Sequence, residues 1–211
     1  MLLSAKSDFI FKRIFGDARN TDILGDFLKS VLTLPEEEYS SITVEDSHLN
    51  PQEVDEKLGI LDVRVHTTSG SMIDVEIQLH ELPGMEARIS FYLAKMLTSQ
   101  AKQGDAYTEF KPVICIVITD YELVTDTKAY HNRYVMYDSA TGSYFPSLFE
   151  INTLELPKLP QESGNADDKL WSWMRFLKTG REDELNMLAK NNPPMTLVSK
   201  LCCKSCGLKK S

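Results

Sequence analysis

The run VICIVIT at residues 113–119 constrains the fold more than any other stretch of the chain. It has strand length, it is rich in β-branched residues, and it offers no polar face. Such a run suits a central strand covered on both sides. Before it, LDVRVH alternates, TTSGS reads as a turn, and MIDVEIQLH alternates back, so a hairpin is predicted. Between hairpin and run, GMEARISFYLAKMLTSQAKQG is long enough for four or more helical turns. Met85, Ile89, Tyr92, Leu93, Met96 and Leu97 fall on one face, and Gly104 is the predicted stop. Hairpin, helix and buried strand in that order predict an α/β layered fold, with the helix crossing over to a parallel neighbour.

The flanking segments read in the same way. Phe9, Ile10, Ile14 and Phe15 predict a short helix capped by Ser7 and ended by Gly16. Ile23, Leu24, Phe27, Leu28, Val31 and Leu32 predict a second helix, stopped by Pro35. Residues 36–59 are acidic and weakly patterned, with a short strand at SITVED and loop elsewhere. HNRYVMYD and the segment around FEINTLEL predict further strands at the sheet edge. DDKLWSWMRFLK and REDELNMLAK predict two short helices, the first packing through Trp171, Met174 and Leu177. The expected organisation is a core over residues 1–160, a helical extension packed on it over 161–190, and an irregular or disordered tail over 191–211.

Charge and cysteine usage narrow the function classes. A net charge of -8 argues against a broad basic groove for nonspecific nucleic-acid binding, but it leaves room for a local basic strip. Lys12, Arg13 and Arg19 form the best such cluster, and solvent-facing helix residues are the simplest reading of them. No stretch approaches the ~18 consecutive apolar residues of a membrane span. The opening MLLSAKSDFIFK has too short an apolar run for a signal peptide, so a cytoplasmic protein is expected. Cys115 lies in the apolar run and reads as a buried thiol. Cys202, Cys203 and Cys206 lack a second pair for a structural zinc site and read as an exposed, oxidisable tail.

The hairpin carries the candidate chemistry. Asp62, Arg64 and His66 share one face of its first strand, and Asp74, Glu76 and Gln78 share one face of its second. Two registers keep the apolar residues together: one sets Asp62 opposite Glu76, the other opposite Gln78. In either, Asp62 and Glu76 are cross-strand neighbours at about 5–8 Å between Cβ atoms. Two like charges so placed repel unless something positive lies between them. A divalent metal satisfies that need, and so does a solvated face on which Arg64 neutralises its neighbours. The pattern leaves both open.

Several separated motifs carry a family resemblance. They are the opening KSDFIFK, the hairpin LDVRVHTTSGSMIDVEIQLH with its E-x-Q, the R-x-x-x-Y start of the long helix, GDAYTEF, ELPK, and a final W-x-x-x-x-F-L. Over roughly residues 3–178 the chain resembles the PD-(D/E)XK nuclease family transposases, the recombination-promoting nucleases of the Rpn type. The resemblance implies a restriction-endonuclease-like core with a mixed central sheet flanked by helices. It also implies Mg2+-dependent hydrolysis of DNA phosphodiester bonds (Mn2+ as a substitute) in recombination or mobile-element biology. Carried over by motif, Asp62 and Glu76 hold the metal and Gln78 takes the position where the wider superfamily has lysine. Asp8 supplies the N-terminal acid, with Asp22 and Asp26 as weaker alternatives, while Asp74 is left as polar surface. Arg88, Tyr92, Lys57, Lys12 and Arg13 become candidate DNA contacts. The implied partner is DNA, a homodimer is compatible, and no membrane is involved. The tail departs from the family, and natural divergence, truncation relative to the family and a change of reading frame all fit it. The alternative is a catalytically degenerate member acting as a DNA- or protein-binding module.

Overall fold

The computed structural model describes residues 8–45, 63–102, 104, 106–163, 168–179, 184, 187–188 and 194–198, with side chains from residue 10 onward. Six strands form one sheet: β1 (Thr43–Val44), β2 (Val63–His66), β3 (Met72–Gln78), β4 (Val113–Thr119), β5 (His131–Tyr134) and β6 (Phe149–Glu155). Their spatial order is β1-β2-β3-β4-β6-β5. The principal helices are α1 (Asp8–Phe15), α2 (Thr21–Val31), α3 (Met85–Ser99) and α4 (Lys169–Lys178). The fold is therefore mixed α/β, with a mixed central sheet flanked by helices.

In the hairpin, Val63 stands opposite Val75 and Arg64 opposite Asp74, which is the first of the two registers allowed by the pattern. Its turn closes by a bond from Thr67 N to Ser71 O at 3.0 Å. Gly70 takes φ of 93°, a left-handed conformation that favours glycine. β4 runs parallel to β3, with α3 as the crossover, as the order of elements predicts. β6 departs from expectation. It lies inside the sheet, parallel to β4, and β5 alone takes that edge. Asn152, Thr153 and Glu155 are polar yet buried, so β6 lacks the continuous apolar run that marks a central strand.

Alternation sends the side chains of the sheet into two layers. Val63, Val65, Ile73, Val75, Ile77, Ile114, Ile116 and Ile118 pack against α1, α2 and α4. Met72, Val113, Cys115 and Val117 pack beneath Met85, Ile89, Leu93 and Met96 of α3. All seven residues of β4 are buried, as its composition demands.

Local chemistry sets the helix ends. Gly16 N donates to Lys12 O at 2.8 Å, and a Cβ at residue 16 would lie only 2.7 Å from that oxygen. α2 stops before Pro35 is reached: Leu32 is already extended at φ -103° and ψ 147°, and it stays buried. Asp168 caps α4 by accepting from Trp171 N at 2.8 Å. The packing face of α4 is centred on Trp173 rather than Trp171. Trp173 meets Phe15 and Phe27 at 5.7 and 5.8 Å and donates Nε1 to Asp26 at 3.0 Å. Trp171 remains at the rim, donating to Pro160 O. Within the predicted irregular tail, residues 194–198 are helical, and Met195 and Val198 are buried in the larger cluster.

The ELPK motif has a structural role. Lys158 Nζ lies 2.7 Å from Glu155 Oε2, with side chains 3% and 0% exposed. Glu155 also accepts from Leu123 N at 2.8 Å, and Lys158 donates to Val124 O. The pair thereby ties the loop after β4 to the end of β6. Among the described residues, no helix is long and apolar enough to cross a membrane.

Candidate active site

Asp74 and Glu76 leave β3 on the face that α3 covers. Their side chains are buried, at 0% and 2% exposure. Asp74 is therefore not the polar surface residue expected from the alternation. Alternation identifies which residues share a face, but α3, brought over by the crossover, decides that this face is covered.

Arg88 comes from the first turns of α3, where Gly84 at φ of 79° lets the chain enter the helix and Arg88 N donates to Gly84 O at 3.0 Å. Its Nη2 lies 2.8 Å from Glu76 Oε1, and its side chain is 28% exposed. One turn later, the Tyr92 ring centroid is 5.3 Å from the Arg88 guanidinium carbon, a cation–π arrangement. Burial pushes the Tyr92 phenol above its usual range, and the Glu76 charge adds to that while Arg88 opposes it. Helix spacing thus places the R-x-x-x-Y pair beside the E-x-Q strand.

Around Asp74, the Cys115 thiol lies 4.0 Å from Oδ2. Burial raises the Cys115 pKa well above the ordinary thiol value, and the Asp74 and Glu76 charges add to it. Arg64 stands opposite Asp74 in the antiparallel register, so both side chains leave the sheet on the same face. Arg64 Nη1 is 3.3 Å from Glu45 Oε2, and His66 Nε2 is 3.6 Å from the same oxygen.

At the carboxyl ends of the parallel strands, Gln78 pairs with Thr119. Gln78 is half-buried, and its Nε2 donates to His80 O at 3.2 Å. Thr119 Oγ1 donates to Tyr121 O at 2.7 Å. Tyr121 is the site residue that sequence reasoning missed. Its hydroxyl is buried and makes no hydrogen bond among the described residues. Burial raises its pKa, followed by the charges of Glu81, Glu76 and Glu86, with Arg88 acting the other way. The available signal was its position just past a buried parallel strand, where open α/β sheets place ligands.

The remaining sequence candidates are divided. Asp62 and Lys57 lie outside the described residues, and so does the side chain of Asp8, which heads α1. Asp26 is engaged by Lys169 at 2.8 Å and by Trp173, so it braces α4. Lys12 and Arg13 are in the last turn of α1, the helix layer on the opposite side of the sheet from Glu76. Arg19 is spent on Asp17, whose carboxyl it lowers from 3.8 to about 2 through side-chain hydrogen bonds. The structure therefore gathers Glu76, Gln78, Arg88 and Tyr92 on one side and leaves the basic N-terminal cluster on the other.

Chemically, the centre is a pair of buried carboxylates with guanidinium groups as neighbours. Among the described residues, no group of three or more His, Cys, Asp or Glu side chains is gathered to hold a metal ion. No curated protein and no solved structure gives a significant match to the chain. A family model does match, described as PD-(D/E)XK nuclease family transposase, over residues 5–203. That span is nearly the whole chain, and the sheet, the crossover helix and the E-x-Q strand lie within it. The chain belongs to the PD-(D/E)XK nuclease family transposases.

Proposed function

We propose that the protein is a metal-dependent DNA endonuclease whose centre is built on β3 and α3. One observation carries the reading: in a member of a nuclease family, Glu76 is a buried carboxylate held at 2.8 Å by Arg88 beside the equally buried Asp74. A charged group is kept in such a place only if it is paired.

The donor chemistry fits a hard divalent cation. Glu76 offers carboxylate oxygens on the face of β3 that also bears Asp74, and Mg2+ prefers such oxygens together with water and phosphate. In this reading Glu76 and Asp62 hold Mg2+, with Mn2+ as a substitute, and Asp8 completes the acidic set. A cation held there would supply positive charge against the scissile phosphate and would lower the pKa of a water.

The chain's own residues do the rest. Arg88 orients Glu76, and its exposed fraction faces outward where a phosphate can share the guanidinium. Tyr92 restricts Arg88 by sitting under it. Gln78 positions water or a phosphate oxygen by hydrogen bonding, since its amide carries no charge to stabilise an anion. Lys57 is assigned to the DNA backbone, and Lys12 and Arg13, in the layer across the sheet from Glu76, are assigned to backbone contacts away from the cleavage centre.

The test compares wild type with Glu76→Gln on supercoiled DNA, with Mg2+ and with chelator. Mg2+-dependent nicking that disappears in the variant is expected. Equal nicking by both proteins sinks the assignment of Glu76.

A second reading rests on the same ion pair. Arg88 already satisfies Glu76 electrostatically, as it would in a catalytically degenerate member that binds DNA or a protein. DNA retention without nicking, under Mg2+ and Mn2+ alike, would favour it.

A further inference from the structure

We propose that the groove between α3, the loop after β4, and strands β5 and β6 receives one unstacked nucleobase bearing an exocyclic amine: cytosine, adenine or guanine. This rests on the nuclease reading and names the feature of DNA read beside the cleavage centre. The groove encloses about 380 Å³, room for a base and its ring substituents.

Thr153 lines the groove, 3% exposed, and its Oγ1 is buried without a hydrogen-bond partner among the described residues. A buried hydroxyl left in that state marks a place for a polar ligand group. Two carboxylates, Glu86 from α3 and Asp126 from the loop, also line the groove, and among the described residues no basic side chain does. Such a lining repels phosphate and accepts hydrogen bonds from an amine, as carboxylates do from cytosine N4. Ile89, Leu123 and Ile151 supply apolar walls for a ring, and the partly exposed Tyr134 supplies an aromatic face for stacking.

The placement links the groove to Glu76. Glu76 pairs with Val117 and Val117 with Thr153, so the three occupy one row of the sheet on the face under α3. Two strand spacings put Thr153 about 10 Å from Glu76. A single nucleotide rotated out of its stack covers that distance.

The test uses nucleosides, which carry no phosphate and bypass the cleavage centre. Cytidine, adenosine, guanosine, uridine and thymidine are titrated into the methyl-labelled protein. The three amino-bearing nucleosides should shift the methyls of Ile89, Leu123 and Ile151 and bind about tenfold tighter than uridine and thymidine. Asp126→Asn, at an exposed position, and Thr153→Val should each reduce that preference by about fivefold or more. Equal binding of cytidine and uridine, shifts confined elsewhere, or no shift at millimolar concentration overturns the proposal. DNA nicking is scored separately. Nicking with no nucleoside response sinks the base pocket alone, whereas amine-selective binding without nicking keeps the pocket and sinks the nuclease reading.

Discussion

Arg88 crosses from α3 to β3 and sets its Nη2 2.8 Å from Glu76 Oε1, under cover of the same helix that carries it. One contact therefore joins the crossover helix to the strand bearing the candidate chemistry. It also gives Glu76 a reason to stay charged at 2% exposure.

Removing the arginine should expose that dependence. Arg88→Ala leaves the Glu76 charge without this partner and should destabilise the fold by about 1–3 kcal/mol, less than a fully buried pair because Arg88 is 28% exposed. In a Glu76→Gln background the same substitution should cost well under half as much. Urea unfolding of the four proteins reads the coupling. Strict additivity would show that the contact contributes nothing.

The Glu155–Lys158 pair should be costlier to break, being almost fully enclosed. Lys158→Met is expected to lose about 3–5 kcal/mol by stranding Glu155, and Glu155→Gln added to it should restore part of that. Thermal unfolding decides. A single variant as stable as wild type would contradict the enclosure of Glu155.

Aromatic packing predicts a contrast within α4. Trp173→Ala should cost about 3–5 kcal/mol, because the ring fills space among Phe15, Phe27 and Phe176. Trp171→Ala, at the rim, should cost about 1 kcal/mol. Equal losses would be incompatible with the observed helix face.

Glu38 should make stability pH-dependent. Its carboxyl is held below its ordinary 4.5, chiefly by the Thr67 hydroxyl; burial opposes this, and the Ser69 hydroxyl and amide assist. A depressed folded pKa contributes stability that is present above the unfolded value and lost as pH falls through the folded one. Wild type should therefore exceed Glu38→Gln in stability at pH near 6. That margin should shrink as pH drops below 4.5. A margin that grows toward acid would reverse the sign.

Cys115 should be inert in the native state, since burial and two nearby carboxylates suppress its thiolate. Alkylation at mildly alkaline pH, mapped by peptide mass to separate it from the tail cysteines, should modify it only after unfolding. Rapid native labelling would contradict its burial.

The parts of this molecule legible in sequence are those governed by short-range pattern. VICIVIT announced a strand covered on both faces, and the alternating hairpin limited the register to two choices, one of which is realised. Strand parity put Glu76 and Gln78 on one face and helix spacing put Arg88 and Tyr92 one turn apart, but only the family resemblance linked the two pairs. Asp74 was misread because exposure depends on α3, which no rule about β3 describes. Trp171 and Trp173 differ by two positions in a ten-residue helix, where the apolar phase is ambiguous until α1 and α2 are in place. Tyr121 reaches the centre from a loop, and loops carry no period to read.

The burial of Glu76 under its own arginine has an evolutionary consequence. Loss of the arginine alone leaves a buried carboxylate without this partner, so stability gives a reason to keep the two together that is independent of any chemistry. The presence of Glu76 beside Arg88 is in that sense no measure of catalysis.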